Sequence, residues 1–182
     1  ARFSAYDEDF EKDAYAASYR SAALPIPSII EWGPALGGFY AVAERVSGEH
    51  IDGLDEARMR LVLPSLFAAL DAMRAIDLSA ASGFGGWRAD GTAGHPTWRA
   101  KLLGIATDPG PRGAPGQREL LRASPTGVGP FEEGYARLRE LVEHCPEQRR
   151  LIHDDLINFN VLVDGGRISA VLDWGSSLYG DF

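Results

Sequence analysis

Residues 153–174 read HDDLINFNVLVDGGRISAVLDW, and this segment carries the strongest fold signal in the chain. Within it, the pair Asp164-Gly165 separates two runs of β-branched and apolar residues, 161–163 and 168–172. Because an Asp-Gly pair favours the tight turn of a β-hairpin, the pattern predicts two antiparallel strands joined at this turn.

Polar side chains flank the predicted hairpin on both sides. Asp155 and Asn160 precede its first strand and Asp173 follows its second, so the hairpin folds Asp173 back beside Asn160. Phosphoryl transfer needs one carboxylate to orient the attacking hydroxyl and receive its proton, and oxygen ligands to hold magnesium. Asp155 suits the first role, and Asn160 and Asp173 suit the second. His153 stands in the same catalytic motif as a group that braces the loop.

The remainder of the chain alternates helical and extended patterns. A helix is predicted over 8–20, where apolar and charged residues alternate with helical spacing, and proline pairs end it. A second helix begins near Asp55, with Pro64 restarting it at a first turn. The glycine-rich stretch 79–95 is expected to be an irregular, functional loop. Further strands are predicted at the start of the chain and at 28–32, 39–46 and 151–152, a Pro/Gly-rich loop at 107–129, and a helix at 131–144.

The motifs resemble those of a known family. The run from His153 to Leu162, followed by Ala170-Val171-Leu172-Asp173-Trp174, is similar to the catalytic and magnesium motifs of aminoglycoside phosphotransferases, and the resemblance is strongest to the hygromycin B branch. Supporting stretches are 10–13, 22–27, 75–79, 82–85, 97–99 and 180–181. The resemblance implies an α+β, protein-kinase-like fold of two lobes. Residues 1–46 would form part of the N-lobe and 47–182 part of the C-lobe, in a chain expected to be truncated.

The resemblance also implies where ATP binds. Arg2 stands at the position of the basic residue on the third strand that contacts ATP phosphates, and Asp13 at the helix acid that orients it. The segment containing Glu44, Arg45 and Val46 resembles the hinge whose backbone bonds adenine. The family's glycine-rich loop would lie upstream of residue 1, and its substrate-pocket helices beyond residue 182.

The remaining roles implied by the resemblance concern the catalytic residues, the metal and the acceptor. Asp155 and His153 are the catalytic residues, and Asn160 and Asp173 hold Mg²⁺. Asp154, Asp181 and Trp98 are candidate contacts for the acceptor. The expected reaction is transfer of the γ-phosphate of ATP to a hydroxyl of a small molecule, such as hygromycin B or another aminoglycoside or aminocyclitol.

Composition limits the classes of partner. The chain has 26 acidic and 18 basic residues, a net charge of −8, which disfavours binding to nucleic acid and suits a cationic small molecule. A single cysteine, Cys145, excludes an internal disulfide and a multi-thiolate zinc site. No apolar run approaches the roughly 20 residues that span a bilayer, and no signal-peptide pattern is present. We therefore expect a cytoplasmic protein without a membrane partner, and its oligomeric state stays open.

Three alternatives remain at this stage. A metal-dependent phosphohydrolase would need further His ligands beside the His-Asp-Asp run, and the other histidines are His50, His95 and His144. A pseudokinase-like fragment would keep the fold without transferring phosphate. A kinase of this fold could also act on choline, homoserine or a sugar, because the fold and catalytic loop do not specify the acceptor.

Overall fold

The computed structural model describes residues 1–107, 109–110, 114–156 and 158–181. Strands occur singly or in groups between the helices, with short 3-10 turns between some of these elements. The strands are β1 Arg2–Ser4, β2 Ile29–Ala35, β3 Gly38–Ala43, β4 Glu49–His50, β5 Phe84–Trp87, β6 Ala93–His95, β7 Arg150–Ile152, β8 Val161–Asp164, β9 Arg167–Val171 and β10 Leu178–Gly180. The helices are α1 Glu8–Ala16, α2 Glu56–Arg74, α3 Trp98–Gly104, α4 Gln117–Arg122 and α5 Gly129–Leu141.

The first sheet has the order β1-β3-β2 and is antiparallel throughout, with Arg2 opposite Ala41. The turn between β2 and β3 consists of Leu36 and Gly37, both at positive φ (53° and 80°), which is the geometry of the tightest β-hairpins. Arg2 begins β1, an edge strand of this sheet, and the turn into α1 follows Ser4 at the other end of the strand. This sheet uses only residues before the predicted boundary at 46, and the other sheets only residues after it; the boundary itself stays a prediction.

The predicted hairpin of the catalytic segment is confirmed as β8 and β9, in which Val161 pairs with Val171. Gly165 and Gly166 form its turn, with φ of 55° and 80°. β4 adds to the other edge of β8, giving the order β4-β8-β9. A third sheet, β6-β5-β10-β7, carries the residue that begins the catalytic loop, because His153 directly follows β7.

Two expectations about regular structure are wrong. Pro64 does not restart a helix; it lies inside the continuous α2. Pro64 has no N–H to donate to the Arg60 carbonyl. Because Arg60 is exposed, water can donate to that carbonyl instead. The stretch 79–95 is also not irregular, since it forms β5 and β6. Glycine at positive φ, as at Gly85 (φ 90°), lets this short hairpin approach the side chains packed against it.

The predicted helices at 8–20 and 131–144 are confirmed as α1 and α5, each continued by a 3-10 turn. Within the predicted loop at 107–129 the structure has α4, and residues 108 and 111–113 lie outside the described part. One apolar cluster links α1, α2 and the strands around the catalytic segment; its largest fully buried side chains include Trp174, Tyr179, Leu24, Met73 and Leu151. In the described part of the chain, no helix is both long enough and apolar enough to span a membrane.

Candidate active site

The three oxygen-bearing side chains predicted to act together lie at one end of the β8–β9 hairpin. The Asn160 side-chain amide donates to the Asp155 carboxylate (Nδ2 to Oδ2, 3.0 Å) and to the Asp155 carbonyl (2.9 Å). The backbone N–H of Leu172 donates to the Asn160 carbonyl at 2.8 Å, which places Asp173 beside Asn160. The hairpin therefore brings together the two halves of the predicted site.

Asp173 occupies a left-handed backbone conformation, with φ of 60° and ψ of 71°. Such a conformation is costly for residues other than glycine, although Asp and Asn tolerate it best. The following residue, Trp174, donates its backbone N–H to Asp13 Oδ1 at 2.8 Å. Helix α1 thereby helps to hold the turn that carries the Asp173 carboxylate.

The predicted pair of Arg2 and Asp13 is present. Arg2 Nη1 lies 2.8 Å from Asp13 Oδ2, and its second guanidinium nitrogen, Nη2, lies 3.2 Å from Asp173 Oδ1. The Arg2 side chain is 46% exposed and also lies over the Phe10 ring. Burial raises the pKa of Asp13, and the positive charge of Arg2 opposes that rise. One guanidinium therefore joins the helix acid to the carboxylate at the hairpin end.

His153 is buried and braces the loop. Its Nε2 lies 2.8 Å from the Leu172 carbonyl, and since a carbonyl only accepts, Nε2 carries a proton; the buried Nδ1 has no hydrogen-bond partner among the described residues. Its ring meets the Trp174 ring edge-on, with the ring centroids 4.6 Å apart. Burial lowers the pKa of His153, which keeps the imidazole neutral. With 2% of its surface exposed, His153 supports the residue before Asp173, and its catalytic role stays a prediction.

A cleft opens beside Arg2. Its charged end is formed by Arg2, Asp13 and Asp173, and the rest of its wall is mostly apolar: Ile26, Pro27, Ile29, Ala43, Val171, Leu172 and Trp174. Of the predicted hinge residues, Glu44 lines the cleft, and Arg45 and Val46 are not among its lining residues. The Glu44 backbone N–H donates to the Ser28 carbonyl at 2.8 Å, so a base in the cleft would bond other backbone groups of the hinge.

The predicted acceptor residues lie in two other places. Asp154 is exposed, at positive φ (65°), and borders an apolar cavity between α2 and the catalytic loop. Trp98 begins α3, and its ring packs so closely on Gly180 that a Cβ atom there would lie 2.6 Å from it. Asp181 follows Gly180 directly. None of the three lines the Arg2 cleft, so their role in acceptor binding stays a prediction.

The donor set fits magnesium. Asn160 commits its amide nitrogen to Asp155, which leaves Asn160 Oδ1 as its free oxygen, and Asp173 Oδ2 is the carboxylate oxygen that does not face Arg2. Amide and carboxylate oxygens are the ligands that magnesium prefers. Among the described residues, no group of three or more His, Cys, Asp or Glu side chains is arranged to hold a metal. That part of the chain thus lacks the ligand cluster that the phosphohydrolase alternative requires.

One residue at the site was missed by the sequence reasoning. The Lys12 ammonium is buried against the segment after Asp173, where it donates to the carbonyls of Gly175 (2.6 Å) and Ser177 (2.8 Å). Its only sequence signal is its place next to Asp13, and helical spacing alone predicts neither burial nor these partners.

Residues 4–182 match the family model described as the phosphotransferase enzyme family. The chain belongs to this family. The match covers α1, β2, β3 and the whole catalytic segment, and it confirms the family resemblance predicted from the motifs. The architecture is accordingly the protein-kinase-like fold expected for an aminoglycoside phosphotransferase.

Individual members of the phosphotransferase family can be compared in detail. The hygromycin-B 4-O-kinase of Escherichia coli is 34% identical over an alignment of 182 positions, which covers 99% of this chain and 52% of that protein. The crystal structure of a thermostable mutant of aminoglycoside phosphotransferase APH(4)-Ia, in ternary complex with ADP and hygromycin B, superposes with a TM-score of 0.87 at 32% identity, over 98% of this chain and 59% of that one. The streptomycin–ATP complex of APH(2")-IIa, at 14% identity and a TM-score of 0.56 over 96% of this chain and 56% of that one, shares the fold alone. The chain thus spans between half and three fifths of the length of the first two relatives.

Proposed function

We propose that the protein is an ATP-dependent phosphotransferase, which moves the γ-phosphate of ATP to a hydroxyl of an aminoglycoside or related aminocyclitol, with hygromycin B as the first candidate. The observation that carries the proposal is the meeting of Asp155, Asn160 and Asp173 at one hairpin end, with the Arg2–Asp13 pair beside them. The similarity to a hygromycin-B kinase supports this choice of acceptor.

The cleft supports a nucleotide as the donor. Its apolar wall suits a purine ring, and its charged end presents Arg2, a cation that pairs well with phosphate oxygens. Asn160 Oδ1 and Asp173 Oδ2 would hold Mg²⁺, which when bound neutralises charge that develops on the phosphates. Asp13 keeps the Arg2 guanidinium directed toward this end of the cleft.

Asp155 is the proton acceptor in this proposal. The Asn160 amide bonds one of its carboxylate oxygens and fixes its orientation, so the other oxygen is available to a substrate hydroxyl. The hydroxyl oxygen attacks the γ-phosphorus, the bond between phosphorus and the ADP oxygen breaks, and the hydroxyl proton passes to Asp155. The exposed Asp154 and the net charge of −8 favour an acceptor that carries ammonium groups.

The test uses the complete protein with ATP and magnesium. Hygromycin B, other aminoglycosides, choline, homoserine and a sugar are each incubated with it, and products are examined by mass spectrometry for an added phosphate. We expect phosphate on an aminoglycoside and none on the other acceptors. Transfer to choline, homoserine or a sugar would instead identify a metabolite kinase, and nucleotide binding without transfer would identify the pseudokinase alternative.

The role of Asp155 is tested by Asp155→Asn, which keeps the side-chain size and removes the proton acceptor. We expect turnover to fall on the order of 100-fold or more, a barrier increase of ~2.7 kcal/mol, with the unfolding midpoint nearly unchanged. Asp164→Asn is the matched control, because Asp164 is exposed at the far end of β8, where it pairs with Arg167 next to the turn. Normal turnover in Asp155→Asn would remove Asp155 from the chemistry.

A further inference from the structure

The Lys12 side chain leaves α1 on the side that faces the segment after Asp173. Its ammonium nitrogen donates to the carbonyl oxygens of Gly175 and Ser177, at 2.6 and 2.8 Å, and lies 5.0 Å from the centre of the Trp87 ring. Only 9% of the residue is exposed. Two carbonyls of this segment and the Trp87 ring of β5 thus converge on a single cation.

Burial of an ammonium group is unfavourable unless its surroundings compensate it. Burial lowers the pKa of Lys12 to about 8, against the opposing influence of the acids that face it: Asp9, Asp13 and Glu8 on α1 and Asp154 on the catalytic loop. Arg88 lines the same polar recess and adds a positive charge. An apolar residue at position 12 would avoid this desolvation cost, but it could not donate to the Gly175 and Ser177 carbonyls. We therefore attribute the buried cation to the hydrogen bonds that it makes with these two oxygens.

The segment held by Lys12 is the one that determines where the Asp173 carboxylate points. Asp173 has a left-handed backbone conformation, and a 3-10 turn, Trp174–Ser176, follows it. Asp13, the neighbour of Lys12, accepts the N–H of Trp174 at the start of this turn, and Lys12 binds carbonyls at its middle and just after its end. Two adjacent residues of α1 thus hold the turn at both ends, one through an N–H group and one through carbonyls.

We propose that Lys12 is a positioning residue for phosphoryl transfer, which fixes the turn after Asp173 to α1 and so holds the Asp173 carboxylate at the charged end of the cleft. The inference rests on the proposed function for its kinetic consequences. Its structural consequence, local order at residues 173–177, is independent of the acceptor and of ATP turnover.

The principal variant is Lys12→Met, which keeps the length of the side chain and removes the charge and the donors. In the complete protein we expect kcat to fall at least 10-fold, the magnesium concentration for half-maximal rate to rise at least threefold, and KM for the acceptor to change less than threefold. Lys101→Met is the matched control, since Lys101 is the chain's other lysine and lies on α3. Addition of ethylammonium to Lys12→Ala, which has space for it, should restore part of kcat.

Hydrogen exchange measured by mass spectrometry, without nucleotide or metal, provides the second measurement. The N–H groups of Trp174 and Ser177 are bonded in the wild type, to Asp13 and to the Trp174 carbonyl. We expect Lys12→Met to accelerate exchange in a peptide covering 173–177, while peptides from α2 and the β8–β9 hairpin keep their wild-type rates. Lys101→Met should leave the 173–177 peptide unchanged.

Three outcomes would overturn the proposal. Lys12→Met could keep wild-type kcat and magnesium dependence, or it could accelerate exchange uniformly along the chain, with activity lost only in proportion to unfolded protein. If Lys12→Met does not fold, Lys12→Gln and Lys12→Arg are measured in its place. The third outcome is a folded variant with faster exchange at 173–177 and an unchanged magnesium dependence.

Failure of the wild type to phosphorylate any acceptor would refute the proposed function, and the exchange experiment would still decide whether Lys12 holds the turn.

Discussion

Replacement of Asp13 by asparagine separates the two hydrogen bonds that this buried carboxylate makes. Asp13 is 6% exposed; its Oδ2 accepts from Arg2 Nη1 and its Oδ1 from the N–H of Trp174, both at 2.8 Å. An asparagine oxygen can still accept from Trp174, but the amide nitrogen then faces the Arg2 guanidinium, and two donors cannot bond each other. The substitution therefore removes the bond to Arg2 and keeps the bond to the turn.

The size of the effect follows from these contacts. A hydrogen bond between charged groups contributes about 1.5–3 kcal/mol. Arg2 is 46% exposed and keeps Asp173 as a partner, which reduces the loss. Burial raises the pKa of Asp13, so removal of its charge also relieves a desolvation cost. We expect Asp13→Asn to lower the free energy of unfolding by about 1 kcal/mol, equivalent to about 2–4 °C in Tm for a chain of this size.

Activity should respond more strongly than stability, because Arg2 without Asp13 is no longer directed toward the phosphates. We expect Asp13→Asn to raise KM for ATP about 10-fold. Asp13→Ala also leaves the Trp174 N–H unpaired, so it should lower the free energy of unfolding by roughly a further 1–3 kcal/mol. Both are measured by steady-state kinetics and urea unfolding, with Asp71→Asn on the exposed face of α2 as control. Equal stability of the Asn and Ala variants, or an unchanged KM for ATP in both, would refute the reasoning.

Two further predictions concern stability alone. Leu36 is 95% exposed at φ of 53° before Gly37, so Leu36→Asn, which creates the favoured turn pair, should raise the free energy of unfolding by about 1 kcal/mol. Leu61→Asn, at an exposed helical position, should not; an unchanged or lower Tm in Leu36→Asn would contradict the turn assignment. Because burial lowers the pKa of His153, the unfolded chain binds a proton more readily, and stability should fall as pH drops below about 6.5. His153→Gln should show a smaller fall in urea midpoint between pH 7.5 and 5, and an identical fall would exclude His153 as its cause.

The elements predicted correctly from the sequence are those specified by local chemistry. The β8–β9 hairpin follows from two β-branched runs separated by Asp164 and two glycines, although its turn is Gly165-Gly166 and not Asp164-Gly165. Helix α1 follows from its apolar spacing and the acids of its first turn. The contact of Asn160 with Asp155 is likewise local, spanning five residues. For such features, the residues that define the structure are close together in the sequence.

The features that the sequence did not predict depend on distant partners. β5 contains two adjacent glycines, Gly85 and Gly86, and becomes a strand because β10 pairs with it. Pro64 is tolerated within α2 because the rest of that helix packs on the core. The partners of Lys12 lie 163 and 165 residues along the chain, and no periodicity or motif spacing relates them. Tertiary packing decided these outcomes over local propensity.

The site is therefore built by two kinds of contact, local and long-range in sequence, which should respond differently to substitutions. The proton-acceptor half, Asp155 with Asn160, is held within the catalytic loop and should survive changes in α1. The Asp173 half depends on Arg2, Lys12 and Asp13, which reach it from the other end of the sequence. A movement of α1 would thus displace the Asp173 turn and leave Asp155 in place, so substitutions in α1 should alter magnesium and ATP dependence before they alter proton transfer.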